Sequence, residues 1–290
     1  MPDVGTHYFV TAPDGLKLHV RGYGSHVDVG APVICLPGLA RTTADFDVLA
    51  TALAQGGEQQ RAVLAIDSRG RGESEYDSEP ANYNLNVELA DLLAVLTALG
   101  IGRAIFIGTS RGGLLAMLLA TARPGAIAGA VLNDIGPVIE PKGLVRIKSY
   151  VGRLPQPRNF EDGAEILRRL FNAQFPRLSA EDWTDFARRT FREKDGRLLP
   201  CYDTRLAKAL AAIHPERPLP PMWREFEALA AMPLMVVRGA NSDVLSAATV
   251  AAMLARRPDL DVLEVPDQGH APFLVEDDVV ARIEAFVARC

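Results

Sequence analysis

Residues 104–120, AIFIGTSRGGLLAMLLA, restrict what this chain can fold into more than any other stretch. The apolar run Ala104-Ile105-Phe106-Ile107 has the length and composition of a strand buried on both faces. It runs into Gly108-Thr109-Ser110-Arg111-Gly112-Gly113 and continues as a Leu/Ala/Met run at helical spacing. A serine flanked by glycines two residues away on each side, at a strand-to-helix junction, is the pattern of a nucleophile elbow. Such a turn exposes the serine hydroxyl and places the following amides at a helix N-terminus, where developing negative charge is favoured. The glycines are needed because larger neighbours would collide with the adjoining strand and helix.

The same alternation recurs on both sides of the elbow. Before it come a predicted hairpin at Tyr8–Val10 and Leu16–Val20 around Pro13-Asp14-Gly15, and an apolar strand over 32–36. A helix over 43–55, a strand over 62–66 and an amphipathic helix over 86–99, stopped by Gly100, follow. After it come strands over 127–132, 234–237 and 262–265, with helices over 247–256 and 275–287. Alternation of this kind predicts an α/β protein with a mostly parallel eight-stranded sheet, helices on both faces and ligands beyond the carboxyl ends of the strands.

Between Pro137 and Glu225 the rhythm stops, and no apolar run resembles a buried parallel strand. Helices are predicted over 143–151, 163–172, 180–191 and 204–213, with Ser179 and Asp182 forming an N-cap for the third. This segment holds 17 Lys and Arg against 12 Asp and Glu, whereas the remainder holds 14 against 24. The expected organisation is a core of residues 1–136 and 226–290 with a basic helical cap, or lid, inserted at 137–225. The basic balance is equally consistent with a solvated surface and with a preference for anionic substrates.

With 290 residues, a net charge of −5 and no long basic run, the chain gives no reason to expect nucleic acid or an anionic membrane as partner. No apolar run reaches the roughly 18 residues needed to span a bilayer, and the first residues do not read as a signal peptide. Cys35, Cys201 and Cys290 lie far apart and form no metal-binding or disulfide framework, so a cytoplasmic setting is expected, without metal or cofactor. Cys35 reads as core.

A serine hydroxyl needs a base, and the base an orienting acid. Of the five histidines, His7, His19 and His26 lie in or near the first hairpin and His214 lies in the insert. His270 alone follows a late strand and precedes the last helix, which makes it the candidate base. Asp243, after the strand over 234–237, completes the chain order Ser, Asp, His and is the favoured acid; Asp134, after the strand over 127–132, is its rival. Asp67, within Asp67-Ser68-Arg69-Gly70-Arg71-Gly72, reads as a turn stabiliser. The oxyanion formed when serine attacks a carbonyl calls for two donors, expected to be the amides of Arg111 and Leu39. Gly38 is expected to keep the approach to the site clear of a side chain.

Taken together, Pro37-Gly38-Leu39, Asp67-x-Arg69-Gly70-x-Gly72-x-Ser74, Gly108-x-Ser110-x-Gly112, Asp243 and Gly269-His270 resemble the α/β-hydrolase superfamily, in its lid-bearing esterase, lactonase and C–C hydrolase branch. The resemblance covers nearly the whole chain. It implies a hydrolase of the carboxylesterase or lactonase kind acting on a small-molecule ester or lactone through an acyl-enzyme, with catalytic Ser110, Asp243 and His270. C–C bond hydrolysis of ring-fission products and cofactor-free peroxidase activity occur on the same site within the branch, and a non-catalytic ligand-binding member is a further alternative. Two departures stand out. Many members carry His-Gly where this chain has Pro37-Gly38, and relatives often have a smaller or apolar residue at the position of Arg111. That guanidinium either meets an anionic substrate or pairs with an acid behind the elbow.

Overall fold

The computed structural model describes residues 5–24, 30–56, 60–211, 213–214 and 218–290; His26 lies outside them. Strands β1 (Thr6–Thr11), β2 (Lys17–Tyr23), β3 (Val33–Leu36), β4 (Val63–Ile66), β5 (Ala104–Thr109), β6 (Ile127–Asn133), β9 (Leu234–Gly239) and β10 (Asp261–Val265) form the main sheet, and β7 (Phe191–Lys194) and β8 (Arg197–Pro200) pair separately. Across the main sheet the order is β1-β2-β4-β3-β5-β6-β9-β10. From β4 to β10 every neighbour is parallel, whereas β2 pairs antiparallel with both β1 and β4. The elbow strand β5 therefore lies near the middle, flanked by β3 and β6.

Successive residues of a strand point to opposite faces, so a strand covered on both sides must be apolar throughout. The central strands obey this. Ile34, Phe106, Leu132 and Val236 join the core formed with α2 (Leu85–Ala98), α3 (Arg111–Ala122) and α8 (Ala247–Arg256). Their neighbours Cys35, Ile105, Ile107, Val131 and Val237 join the core formed with α1 (Asp47–Gln55) and α9 (Asp277–Val287). Cys35 is fully buried, and burial pushes its thiol well above the usual range, which agrees with a core role. Phe106 is also fully buried, at the centre of the first core.

The segment between β6 and β9, called the insert below for its place in the chain order, carries helices α4 (Pro141–Tyr150), α5 (Phe160–Phe171), α6 (Ala180–Thr190) and the short α7 (Trp223–Glu227). It has a small core of its own around Leu167, Phe171, Phe175, Trp183, Phe186 and Phe191. Ser179 and Asp182 cap α6 reciprocally, each side chain accepting from the other's backbone amide. Beyond α6, which ends one residue before the expected bound, residues 191–200 form the β7–β8 hairpin, for which no element was expected, turning on Asp195 and Gly196, both in the left-handed region. Residues 204–210 wind as 3₁₀ turns, capped by Asp203, rather than as an α-helix. On the body, residues 43–46 are likewise a 3₁₀ turn leading into α1.

Candidate active site

Ser110 sits between β5 and α3 with φ 52° and ψ −112°, a conformation that disfavours any side chain and that only firm surroundings maintain. The surroundings are tight. A Cβ on Gly108 would stand 2.5 Å from the Gly113 nitrogen, and one on Gly112 would stand 2.0 Å from the Leu36 carbonyl oxygen. Both elbow glycines are thus required by space, as the motif implies. Gly38 is different: a Cβ there would meet Arg41 Cγ at 3.4 Å and Ser110 Cβ at 3.8 Å, ordinary contacts, so neighbouring protein atoms do not by themselves require a glycine where it lines the cavity.

The serine hydroxyl meets a histidine ring. His270 Nε2 lies 2.8 Å from Ser110 Oγ, across the mouth of the sheet from β5. The other ring nitrogen, Nδ1, lies 2.8 Å from Asp134 Oδ2. This corrects the sequence-based choice of acid: the carboxylate on His270 belongs to Asp134, and Asp243 points elsewhere. Asp134 follows β6 directly, has φ 55°, and is completely buried. Its amide donates to Val237 O at 2.7 Å, while its carboxylate accepts from the Gly239 amide at 2.8 Å and from Ser242 Oγ at 2.5 Å. The side chain is thereby drawn under β9, into the place an acid from the β9 loop was expected to take.

Asp243 is gripped by Arg146 of α4, with Nε to Oδ2 at 2.6 Å and Nη2 to Oδ1 at 2.8 Å. Burial works to raise its carboxyl pKa, but the paired Arg146 outweighs it and holds the group below the ordinary carboxylate value. The close approach depends on Gly143, where a Cβ would stand 2.5 Å from Asp243 O.

The histidine loop is held by contacts that sequence reasoning missed. Gln174, from the insert, accepts from the His270 amide at 2.9 Å through Oε1. Gly269 makes room for it, since a Cβ there would stand 2.6 Å from Gln174 Cβ. Asn133 ties the two loops together, its Nδ2 donating to Pro272 O at 2.9 Å and to Thr109 Oγ1 at 3.0 Å. Its carbonyl also accepts from the Ser110 amide at 2.9 Å. Asn133 and Ser242 each adjoin a weighed aspartate, which was the available signal; Gln174 carried none.

Behind the elbow lies a buried charge cluster. Arg111 Nε donates to Glu88 Oε2 at 2.6 Å, so of the two readings for this guanidinium the structure shows pairing with an acid behind the elbow. Glu88 Oε1 accepts from Arg71 Nη1 at 2.8 Å, and Arg71 Nε donates to Leu39 O at 2.8 Å. Burial raises the Glu88 pKa, yet Arg71 and Arg111 prevail and hold it below the usual carboxylate range. The Arg71–Leu39 bond fixes the loop that carries one of the expected oxyanion donors. Asp67 accepts from the Thr43 and Glu73 amides at 2.8 and 3.1 Å and meets His19 Nδ1 at 2.7 Å, in line with a turn-stabilising role.

Ser110 and His270 open onto a cavity of ≈ 110 Å³, lined on one side by Gly38, Leu39 and Arg41 and on the other by insert residues including Tyr150, Phe171, Phe175 and Phe186. Phe171 and Phe175 belong to the small core of residues 164–198 and also face this cavity. Trp183 and Phe160 belong to the insert's own core, and Trp223 packs against Phe226 with Arg256 over its ring. Among the described residues, no group of three His, Cys, Asp or Glu side chains is placed to hold a metal ion, and no helix is long and apolar enough to cross a membrane.

A strand-end serine in a strained turn, a histidine on it and a buried carboxylate behind, on a sheet of this order, define a hydrolase-fold protein, and the chain belongs to the alpha/beta hydrolase family, whose model matches residues 33–283. Individual relatives sharpen the placement. The chain is 33% identical over 282 residues to the 3-hydroxybutyrate-oligomer hydrolase of Cupriavidus necator, covering 94% of each sequence. It is 27% identical to the 2-(acetamidomethylene)succinate hydrolase of Mesorhizobium japonicum, covering 92% of this chain and 91% of that protein. A crystal structure of an alpha/beta hydrolase from Novosphingobium aromaticivorans superposes with a TM-score of 0.91 at 41% identity, covering 99% of both chains.

Proposed function

We propose that this protein is a serine hydrolase cleaving a small carboxylic ester through an acyl-enzyme intermediate. The observation that carries this reading is the unbroken hydrogen-bonded run from Ser110 Oγ through His270 to Asp134, with 2.8 Å at each junction. In the proposed sequence, His270 Nε2 takes the Ser110 proton as Oγ attacks the ester carbonyl, and Asp134 holds the ring and stabilises its positive form. The Leu39 and Arg111 amides receive the oxyanion. Collapse of the tetrahedral species expels the alcohol, which takes the proton from His270. Water, deprotonated by the same nitrogen, then releases the acid.

The Cupriavidus necator relative, named as a hydrolase of 3-hydroxybutyrate oligomers, supports an ester as the bond and a short hydroxy acid as part of the substrate. The apolar cavity wall fits a short acyl or alkyl chain. In this reading residues 137–225 act as a cap that closes the cavity and sets its shape, on a core of 1–136 and 226–290, and the three separate free cysteines suit a cytoplasmic setting.

The test is turnover of p-nitrophenyl acetate and butyrate. Ser110→Ala is expected to lower kcat by about 10⁴-fold or more without shifting the thermal melt. Wild-type rates in that variant, or failure of a fluorophosphonate probe to label Ser110 in the native protein, would overturn the proposal.

A further inference from the structure

The wall of the Ser110 cavity is mostly apolar, yet it holds two guanidiniums. Arg41 comes from the loop just beyond Leu39, and Arg189 from α6 of the insert. One carboxylate serves both: Asp45 lies 2.6 Å from Arg41 Nε and 3.8 Å from Arg189 Nε. Arg41 is closely fitted. Its Nη1 also donates to Thr190 Oγ1 at 2.8 Å, and its guanidinium carbon lies 4.7 Å from the centre of the Phe186 ring. Arg189 is not. Among the described residues its carboxylate partner is that loose contact with Asp45, and its Nε is buried without a hydrogen-bond partner.

The surrounding charges do not fill the gap. Asp47 is engaged by Arg21 at 3.0 Å and by the Tyr23 hydroxyl, and Asp185 pairs with Arg188 at 3.4 Å. The cavity lining itself carries Arg41 and Arg189 against Asp45, a surplus of one positive charge. Burial, and the neighbouring Arg41, both work against the charge of Arg189, and Asp45 offsets them only in part. The guanidinium lies 5.3 Å from the Phe273 ring centre and lines the same cavity as Ser110 and His270. A guanidinium whose Nε is buried with its donor unmet carries a cost, and a carboxylate, which it can bind with two parallel hydrogen bonds, is the ligand that relieves it.

We infer that Arg189, backed by Arg41, binds a carboxylate of the substrate, so that the preferred esters carry a free carboxylate in the half held within this cavity. The inference rests on the ester-hydrolase reading above and narrows it to acidic esters. It places the specificity of the enzyme on a contact between the insert and the loop after β3.

The test is a calorimetric titration of the full-length Ser110→Ala protein at about pH 7 with monomethyl glutarate, ionised there, and with neutral dimethyl glutarate. The monoester is expected to bind at least about tenfold more tightly, the scale of a charge-assisted hydrogen-bond pair. Arg189→Gln on the same background should remove that preference, and Arg189→Lys should keep part of it. Equal affinity for the two ligands, no measurable binding of the monoester, or a preference that survives Arg189→Gln overturns the inference. The comparison of the two ligands decides even if Arg189→Gln does not fold. Because binding is read without turnover, a failure here is distinguishable from a failure of the hydrolase reading, which the loss of p-nitrophenyl ester hydrolysis in Ser110→Ala decides by itself.

Discussion

The loops after β6 and β9 each present an aspartate at the carboxyl edge of adjacent parallel strands, and the two side chains end in opposite situations. Asp134 is completely buried and its carboxylate accepts from a backbone amide and a serine hydroxyl while meeting His270. Asp243 keeps a tenth of its side-chain surface exposed and is spent on a bidentate pair with Arg146. What separates them is the set of partners each meets. The Asp134 amide donates to Val237 O at the end of β9, where the Gly239 amide and Ser242 Oγ reach its carboxylate. Asp243 lies farther along its loop, where α4 packs close against it through Gly143. A carboxylate's role is thus decided by which donors reach it first, and strand-end position alone does not specify that.

Substitutions at the two strand ends can break this comparison. The largest effect is expected for Asp134→Asn, which keeps the shape but leaves His270 without an anionic partner: kcat for p-nitrophenyl esters should fall by about 10⁴-fold. Asp243→Asn should change kcat by less than about tenfold, and a reversed ranking would show that the β9 carboxylate is the working acid.

The second difference should appear in stability. Replacing Asp243 by Asn removes a charged acceptor from Arg146 and is expected to cost about 2 kcal/mol near neutral pH. Because Arg146 holds the folded-state pKa of Asp243 below its ordinary value of 3.8, the stabilisation is fully present above that value. It is lost as the pH falls through the lower folded value. Denaturant melts of the two proteins should therefore differ by a constant amount from about pH 5 to 8, and the gap should begin to narrow only as the pH falls below the ordinary value of 3.8. A gap that persists at acid pH would mean that Asp243 contributes through packing rather than charge.

The smallest effect sharpens the assignment of Asp134's supports. Ser242→Ala deletes one hydrogen bond to that carboxylate and should lower kcat about tenfold with little change in KM, in keeping with one hydrogen bond to a charged group. An unchanged kcat would leave the Gly239 amide as the support that matters.

Much of this architecture is legible in the chain because burial on both faces writes itself as uninterrupted apolar runs. Residues 104–107, 127–132 and 234–237 all fall within the observed strands. The elbow is legible for a steric reason, since Gly108 and Gly112 stand where no side chain fits. Ser110 and His270 could be matched because their strand-end positions left few rivals. The acid could not, as two aspartates follow neighbouring strands and the deciding contacts come from Arg146 and Ser242, partners distant in sequence from at least one of them. The β7–β8 hairpin is a different kind of miss. Its Asp195-Gly196 pair is a recognised hairpin signal, but strands of four residues bearing Arg192, Glu193 and Lys194 lack the apolar pattern that marked the others. Gln174 left no trace at all: its importance arises from a tertiary contact made to backbone.

That contact has a consequence for how such proteins diversify. Gln174 belongs to the insert, yet its side chain accepts from the amide of His270 and fills the space left open by Gly269. The corresponding segment of a relative would therefore bring with it part of the support of His270 as well as a new set of cavity walls. Exchange of this segment is expected to need an acceptor at the same point, alongside the Arg146–Asp243 and Arg41–Thr190 contacts that also join it to the rest of the chain.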